Sequence, residues 1–191
     1  MRSTYHHGDA RAALLAAGLR LLETTPATDL SLRRVAEAAG LSRQAPYNHF
    51  DSKEGLLAAL AQAGFDALAA ALDEAVTREQ GPEDTLEALA AAYIRFAVAS
   101  PQRFRLMFQR EIVDIAAYPE AAAASRRAFG RIADAVGSIT KEDTAADLTI
   151  AAWSLVHGYA TLLIEAGVEQ PDAIPSRARL FAALIGRHGL S

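Results

Sequence analysis

The 191-residue chain contains no cysteine, which excludes disulfides, thiolate metal sites and a cysteine nucleophile. It also lacks a long hydrophobic run. The longest uncharged stretch, residues 148–164, carries Thr, Ser, His and Gly and falls short of the roughly 20 apolar residues a membrane span needs. No charged-then-apolar leader opens the chain, so the expected compartment is the cytoplasm and no membrane partner is expected. A Gly-rich phosphate loop, a His-Glu-x-x-His pair and a Gly-x-Ser-x-Gly elbow are all missing. Glu111 and Asp114 read as a solvated helix face. An enzyme is therefore not expected, nor is a cofactor. An excess of positive charge is absent too: the formal net charge is −4, which argues at first sight against a polyanion as partner.

What is present is a composition of 51% hydrophobic and 22% charged residues, that of a globular chain long enough to bury a core. The charge is unevenly placed. Residues 1–53 hold Arg2, Arg11, Arg20, Arg33, Arg34, Arg43 and Lys53 against five acids, a net +2 that leaves −6 for the remainder. A mildly basic head on an acidic body permits nucleic-acid contact at one end.

The dominant period is helical. Leu14, Leu15, Gly18, Leu21 and Leu22 mark an amphipathic helix over about residues 9–23, with Asp9 as its cap. Ser31 caps a short helix over 32–39, whose Val35 and Ala36 face inward and which Gly40 ends in the left-handed conformation. Ser42 caps the next helix. Asp51, with Glu54 completing a capping box, opens a long one bearing Leu56, Leu57, Leu60, Phe65 and Leu68. Beyond it, stops at Gly81-Pro82, Ser100-Pro101, Tyr118-Pro119, 141–144 and 167–175 separate further apolar faces, such as Leu86, Leu89, Tyr93 and Ala97. The pattern predicts an all-α chain of about nine helices, without repeats or low-complexity linkers.

One short segment stands apart. "GLSRQAPYNHF", residues 40–50, places polar side chains on a capped helix that follows a capped helix and a glycine turn. That is a helix-turn-helix, whose second helix lies in a major groove. Arg43 can pair with guanine, Gln44 with adenine, and Ala45 can touch a thymine methyl group. Tyr47, His49 and Lys53 come later and suit phosphate oxygens. Pro46 falls in the first turn, where it is tolerated.

"LSLRRVAEAAGLSRQAPYNHFDSKEGLL" (residues 30–57) resembles, along its whole length, the signature of the TetR family of bacterial transcriptional repressors, including the Tyr-x-His-Phe-x-x-Lys-Glu ending. Ala45-Pro46 departs from the family's usual residues before the Tyr. "YHHGD" (residues 5–9) and "WSLVHG" (residues 153–158) are similar to the branch named for a Trp-His-Gly motif. The resemblance implies a helix-turn-helix DNA-binding domain at residues 1–54 and a helical regulatory and dimerisation domain at residues 55–191. It implies a homodimer on a palindromic double-stranded operator, released by a small-molecule effector. Ser31, Arg33, Arg43, Gln44, Tyr47, His49 and Lys53 become DNA contacts by position. The last two helices, near 143–165 and 174–187, become the dimer's four-helix bundle.

Plainer readings stand beside these. His6, His7 and Asp9 are more simply a lead-in to the first helix than a metal site, so no metal is expected. Tyr93, Phe96, Phe104, Met107 and Phe108 are either core or the wall of a ligand pocket. Trp153 and His157 share one helix face; they are either core or the two polar handles of a site for an apolar or aromatic effector. Leu180, Phe181, Leu184 and Ile185 form an apolar strip that a second copy could cover. A constitutive or activating regulator without an inducer, and a helical interaction module, are the alternatives.

Overall fold

A computed structural model describes residues 7–76 and 81–189, with side chains for 10–76 and 81–187. The described residues form eight α-helices: α1 His7–Leu21, α2 Leu32–Ala38, α3 Lys53–Ala75, α4 Pro82–Ala99, α5 Pro101–Phe108, α6 Pro119–Gly137, α7 Glu142–Ala166 and α8 Ile174–Gly189. Short 3-10 turns lie at Ala27–Asp29, Ala45–Asn48, Ile115–Ala117 and Pro171–Ala173. No strand occurs among the described residues, so the all-α expectation holds. The ninth expected helix, behind Ser42, is instead the turn at Ala45–Asn48. Helix α1 begins two residues ahead of Asp9, which therefore does not cap it. The metal alternative at His6, His7 and Asp9 lies outside the described side chains.

The chain divides into two compact units, the residues up to 64 with 100–124, and 65–99 with 125 onward. The core of the first gathers Leu14 and Ala17 of α1, Leu32, Val35 and Ala36 of α2, Leu56, Leu57 and Leu60 of α3, with Leu30, Phe50, Leu106 and Val113. Each of the larger ones, such as Leu14 or Phe50, stabilises the fold by about 1.5–3 kcal/mol when fully buried. Glycine permits the closest approach: a Cβ at Gly18 would sit 2.8 Å from Leu60 Cδ2, and one at Gly64 would sit 2.7 Å from Met107 Sδ.

Local signals set the ends of α2. The Ser31 hydroxyl accepts the Arg34 N–H at 3.2 Å. At the other end Gly40 adopts φ +68°, and the bonds Leu41 N–H to Ala36 O (2.9 Å) and Gly40 N–H to Glu37 O (3.1 Å) close a Schellman motif. The cap of α3 is Ser52 rather than Asp51, because the Ser52 hydroxyl accepts the Gly55 N–H at 3.1 Å. Glu54 receives a backbone hydrogen bond and one from Ser52, which hold its carboxyl below the usual range.

In the second unit α4 packs against α7 and α8. Exposed ion pairs link its helices, Arg127 with Asp66 at 2.6 Å, Arg131 with Asp73 at 2.5 Å and Arg179 with Glu87 at 3.2 Å. Such pairs contribute at most about 1 kcal/mol each, so the apolar faces hold the unit together. Helix α7 ends at Gly167 with φ +56°. Beyond it the Glu169 carboxylate accepts from the Tyr159 hydroxyl at 2.7 Å and from both Nε and Nη2 of Arg177. By length and composition alone α3 and α7 are apolar enough to cross a membrane. The apolarity of α3 has a plain use, since Leu56, Leu57 and Leu60 serve the first core while Phe65, Leu68 and Leu72 are buried in the second unit.

Candidate nucleic-acid interface and effector pocket

The segment after Gly40 is built around a missing donor. Ala45 N–H bonds to Ser42 O at 3.0 Å and Tyr47 N–H to Gln44 O at 3.2 Å, while His49 and Phe50 N–H both bond to Pro46 O at 2.9 Å. Pro46 has no N–H to return to Ser42, so an α ladder does not start and the tighter 3-10 turn takes its place. That corrects the expectation of a second capped α-helix. Pro46 and Phe50 are buried beneath the turn, and the Arg11 guanidinium lies 5.5 Å from the Phe50 ring centroid.

Anchored in this way, the turn exposes Arg43, Gln44 and Tyr47, with Ala45 and His49 half-buried. Tyr47 is 55% exposed, with its ring open to the outside. Ser31 uses its oxygen on the α2 cap, which leaves its hydroxyl proton available to an acceptor outside. Arg33 points outward from α2, whereas its neighbour Arg34 donates to Thr25 Oγ1 at 3.2 Å. Lys53 donates to Thr28 O at 2.6 Å, which occupies one of its three donors.

One cavity of the second unit, lined by apolar side chains, measures about 30 Å³. Helix α4 contributes Leu86, Leu89, Ala90 and Tyr93, α6 contributes Ile132, α7 contributes Ala152 and Val156, and α8 contributes Phe181, Ala182 and Ile185. Trp153 and His157 stand beside Tyr93: the indole N–H donates to the Tyr93 oxygen at 3.2 Å, and that hydroxyl lies 2.9 Å from His157 Nδ1. The indole can only donate, whereas the donor between the phenolic oxygen and Nδ1 is set by the imidazole tautomer. Burial favours the neutral forms of both, raising the Tyr93 pKa well above its ordinary value and lowering that of His157.

Of the residues expected at a ligand site, Tyr93 lines this cavity and Trp153 and His157 position its hydroxyl. Phe96 is half-buried on α4. Phe104, Met107 and Phe108 belong to the first unit, where the rings of Phe104 and Phe108 lie 4.8 Å apart and Met107 packs on Gly64. Sequence reasoning followed large aromatics and so missed Ala90, Ala152 and Ala182, although a cavity arises where small side chains leave space. The apolar strip on α8 divides as well. Leu180 and Leu184 are 43% and 37% exposed, but Ile185 is buried and Phe181 packs on Tyr159 at 5.6 Å, because one residue along a helix turns a side chain by about 100°. On α7, Ile150 and Leu162 are also exposed, at 53% and 50%. Among the described residues no group of three His, Asp or Glu could hold a metal ion.

Two family profiles match the chain. Residues 14–60 match the one described as bacterial regulatory proteins, tetR family, and residues 86–188 match the one described as tetracyclin repressor-like, C-terminal domain. The HTH-type transcriptional regulator EthR of Mycolicibacterium smegmatis is 42% identical over 73 residues, 34% of this chain and 34% of that protein, so the match spans about a third of this curated relative. A solved structure of a protein with unknown function from Rhodococcus sp. RHA1 is 30% identical over all of both chains, with a TM-score of 0.81. A tetR-family regulatory protein from Rhodococcus RHA1 is 20% identical, over 93% of this chain and 97% of that one; its TM-score of 0.70 speaks for the fold alone.

Proposed function

From the premise that the chain belongs to the tetR family of transcriptional regulators, which are not enzymes, we propose that it is a ligand-responsive cytoplasmic repressor. It binds a palindromic operator as a homodimer and leaves it when a small molecule occupies the cavity of the second unit. By role, residues 1–54 bind DNA, and residues 55–191 regulate and dimerise.

One observation carries the DNA reading: a turn anchored by buried Pro46 and Phe50 holds Arg43, Gln44 and Tyr47 outward. Arg43, Gln44 and Ala45 read base edges, while Ser31, Arg33, Tyr47, His49 and Lys53 hold phosphates. For the dimer, the support is exposed apolar surface. Ile150, Leu162, Leu180 and Leu184 are all open, and only 33% of the most apolar window of α7 is buried. On the same outward side of α7, a Cβ at Gly158 would meet nothing within 4 Å, which allows another helix to approach closely. A second copy covers such a face with two-fold symmetry.

Selection from a random duplex library tests the whole reading. The retained duplexes should be inverted repeats, with half-sites about one helical turn or a multiple apart. Retention of duplexes without sequence preference refutes a repressor that reads bases, and retention of single half-sites refutes the dimer.

A further inference from the structure

Resting on the reading of this apolar cavity of the second unit as the effector site, we propose that the effector is an uncharged, alkyl-rich molecule that enters by widening a narrow seam. The wall sets the chemistry. Leu89, Ile132, Val156 and Ile185 present hydrocarbon, Ala90 and Ala152 leave the gaps, and Tyr93 is the lining residue with a polar side-chain atom. The hydroxyl of Tyr93 is already engaged, accepting from Trp153 Nε1–H at 3.2 Å and hydrogen-bonded to His157 Nδ1 at 2.9 Å. A carboxylate finds no donor on this wall and an ammonium finds no carboxylate. Arg131, the sequence neighbour of Ile132, is held by Asp73. An ion would therefore lose its water without compensation, whereas each buried methylene favours binding about fourfold.

Size sets the mode of entry. At about 30 Å³ the cavity is far below the roughly 300–1,000 Å³ of an ordinary ligand site. A C8 chain fits only if the helices around the seam separate, so binding and widening are one event. Such a ligand has a built-in preference for the wider conformer, which is the differential affinity any switch requires.

The test uses three probes of one chain length on the whole protein at pH 7: 1-octanol, octanoate and octylammonium. Trp153 is the sole tryptophan, so its emission reports this site, and anisotropy of a labelled operator reports DNA release. The expected result is a saturable emission change with 1-octanol, and binding at least ~10-fold weaker for both ions. Ala152→Leu on α7 and Ala90→Val on α4 each fill the seam and should remove the 1-octanol response, with circular dichroism melting to establish that each folds. Equal or tighter binding of either ion overturns the proposal and leaves the cavity as effector site. So does the absence of a saturable change with 1-octanol. An 1-octanol response that survives unaltered in both filled variants overturns the proposal and the cavity assignment together. Saturable 1-octanol binding without operator release supports the ligand class and overturns the regulatory reading alone.

Discussion

In the first unit Arg43, Gln44 and Tyr47 stand in water on a turn whose only buried members are Pro46 and the adjoining Phe50, whereas in the second Tyr93, Trp153 and His157 turn their polar atoms on one another around an apolar seam. The contrast separates two kinds of recognition. Exposed donors exchange water for base edges at modest net gain, and specificity arises because a wrong base leaves them unpaired. A closed network offers a visitor little besides hydrocarbon, so shape and methylene count decide who binds. Predictions that transfer one behaviour to the other region test whether the division is real.

The largest effect is expected where the proposed dimer joins two recognition turns. Leu184→Glu puts a charge into the open apolar face of α8, and loss of the second half-site should lower operator affinity on the order of 100-fold. Sedimentation should show monomers of the variant and dimers of the parent at micromolar concentration. A monomeric parent sinks the idea. Next in size is Arg43→Ala, which should cost about 1–3 kcal/mol of discrimination at one base pair. Lys53→Ala should instead weaken all duplexes alike and reduce the salt slope by about one unit. Titrations against matched and mismatched duplexes at several salt concentrations separate the two, and uniform loss for Arg43→Ala would remove it from base readout.

Similar in scale but confined to the second unit is Tyr93→Phe. It leaves the Trp153 N–H and His157 Nδ1 without their shared partner in a part-buried setting, and should lower unfolding stability by about 1–3 kcal/mol in urea. A loss below about 0.5 kcal/mol would mean that water replaces the hydroxyl and that the network is not closed.

How far the sequence disclosed this arrangement depended on how local each signal was. Ser31 and Gly40 act within one turn of backbone, and both ends of α2 fall where those residues predict. Pro46 is equally local, yet tolerance in a first helical turn presumes that the helix forms; here the missing N–H converts it to a 3-10 turn. Asp51 and Ser52 are both good caps, and one residue of phase separates them. Phe104, Met107 and Phe108 carry the same apolar pattern as Tyr93, and periodicity cannot say which of two cores a face enters. The pocket was the least legible part, because a cavity is defined by alanines that contribute no pattern at all.

The smallest expected effect concerns pH, and it probes whether the second unit's network depends on a neutral imidazole. Burial lowers the His157 pKa in the folded state, so protonation favours the unfolded chain, where the ring titrates near about 6.5. The contribution of this residue is therefore present in full above that value and declines as pH falls toward the folded pKa, with a slope of at most about one proton. The physical reason is desolvation: the part-buried imidazole gives up water that would stabilise its charged form. Glu169 does not interfere in this window, because its hydrogen bonds from Arg177 and Tyr159 hold its pKa at about 2, so its own contribution is lost only as pH falls from about 4.5 through that value. His157→Gln keeps an acceptor for Tyr93 and cannot titrate. Urea melts of parent and variant between pH 8 and pH 5 should diverge as pH falls, the parent losing more stability. Parallel curves would mean that His157 binds protons alike in the folded and unfolded chain, as a solvated ring does, and the closed network on which the contrast between the two units rests would have to be abandoned.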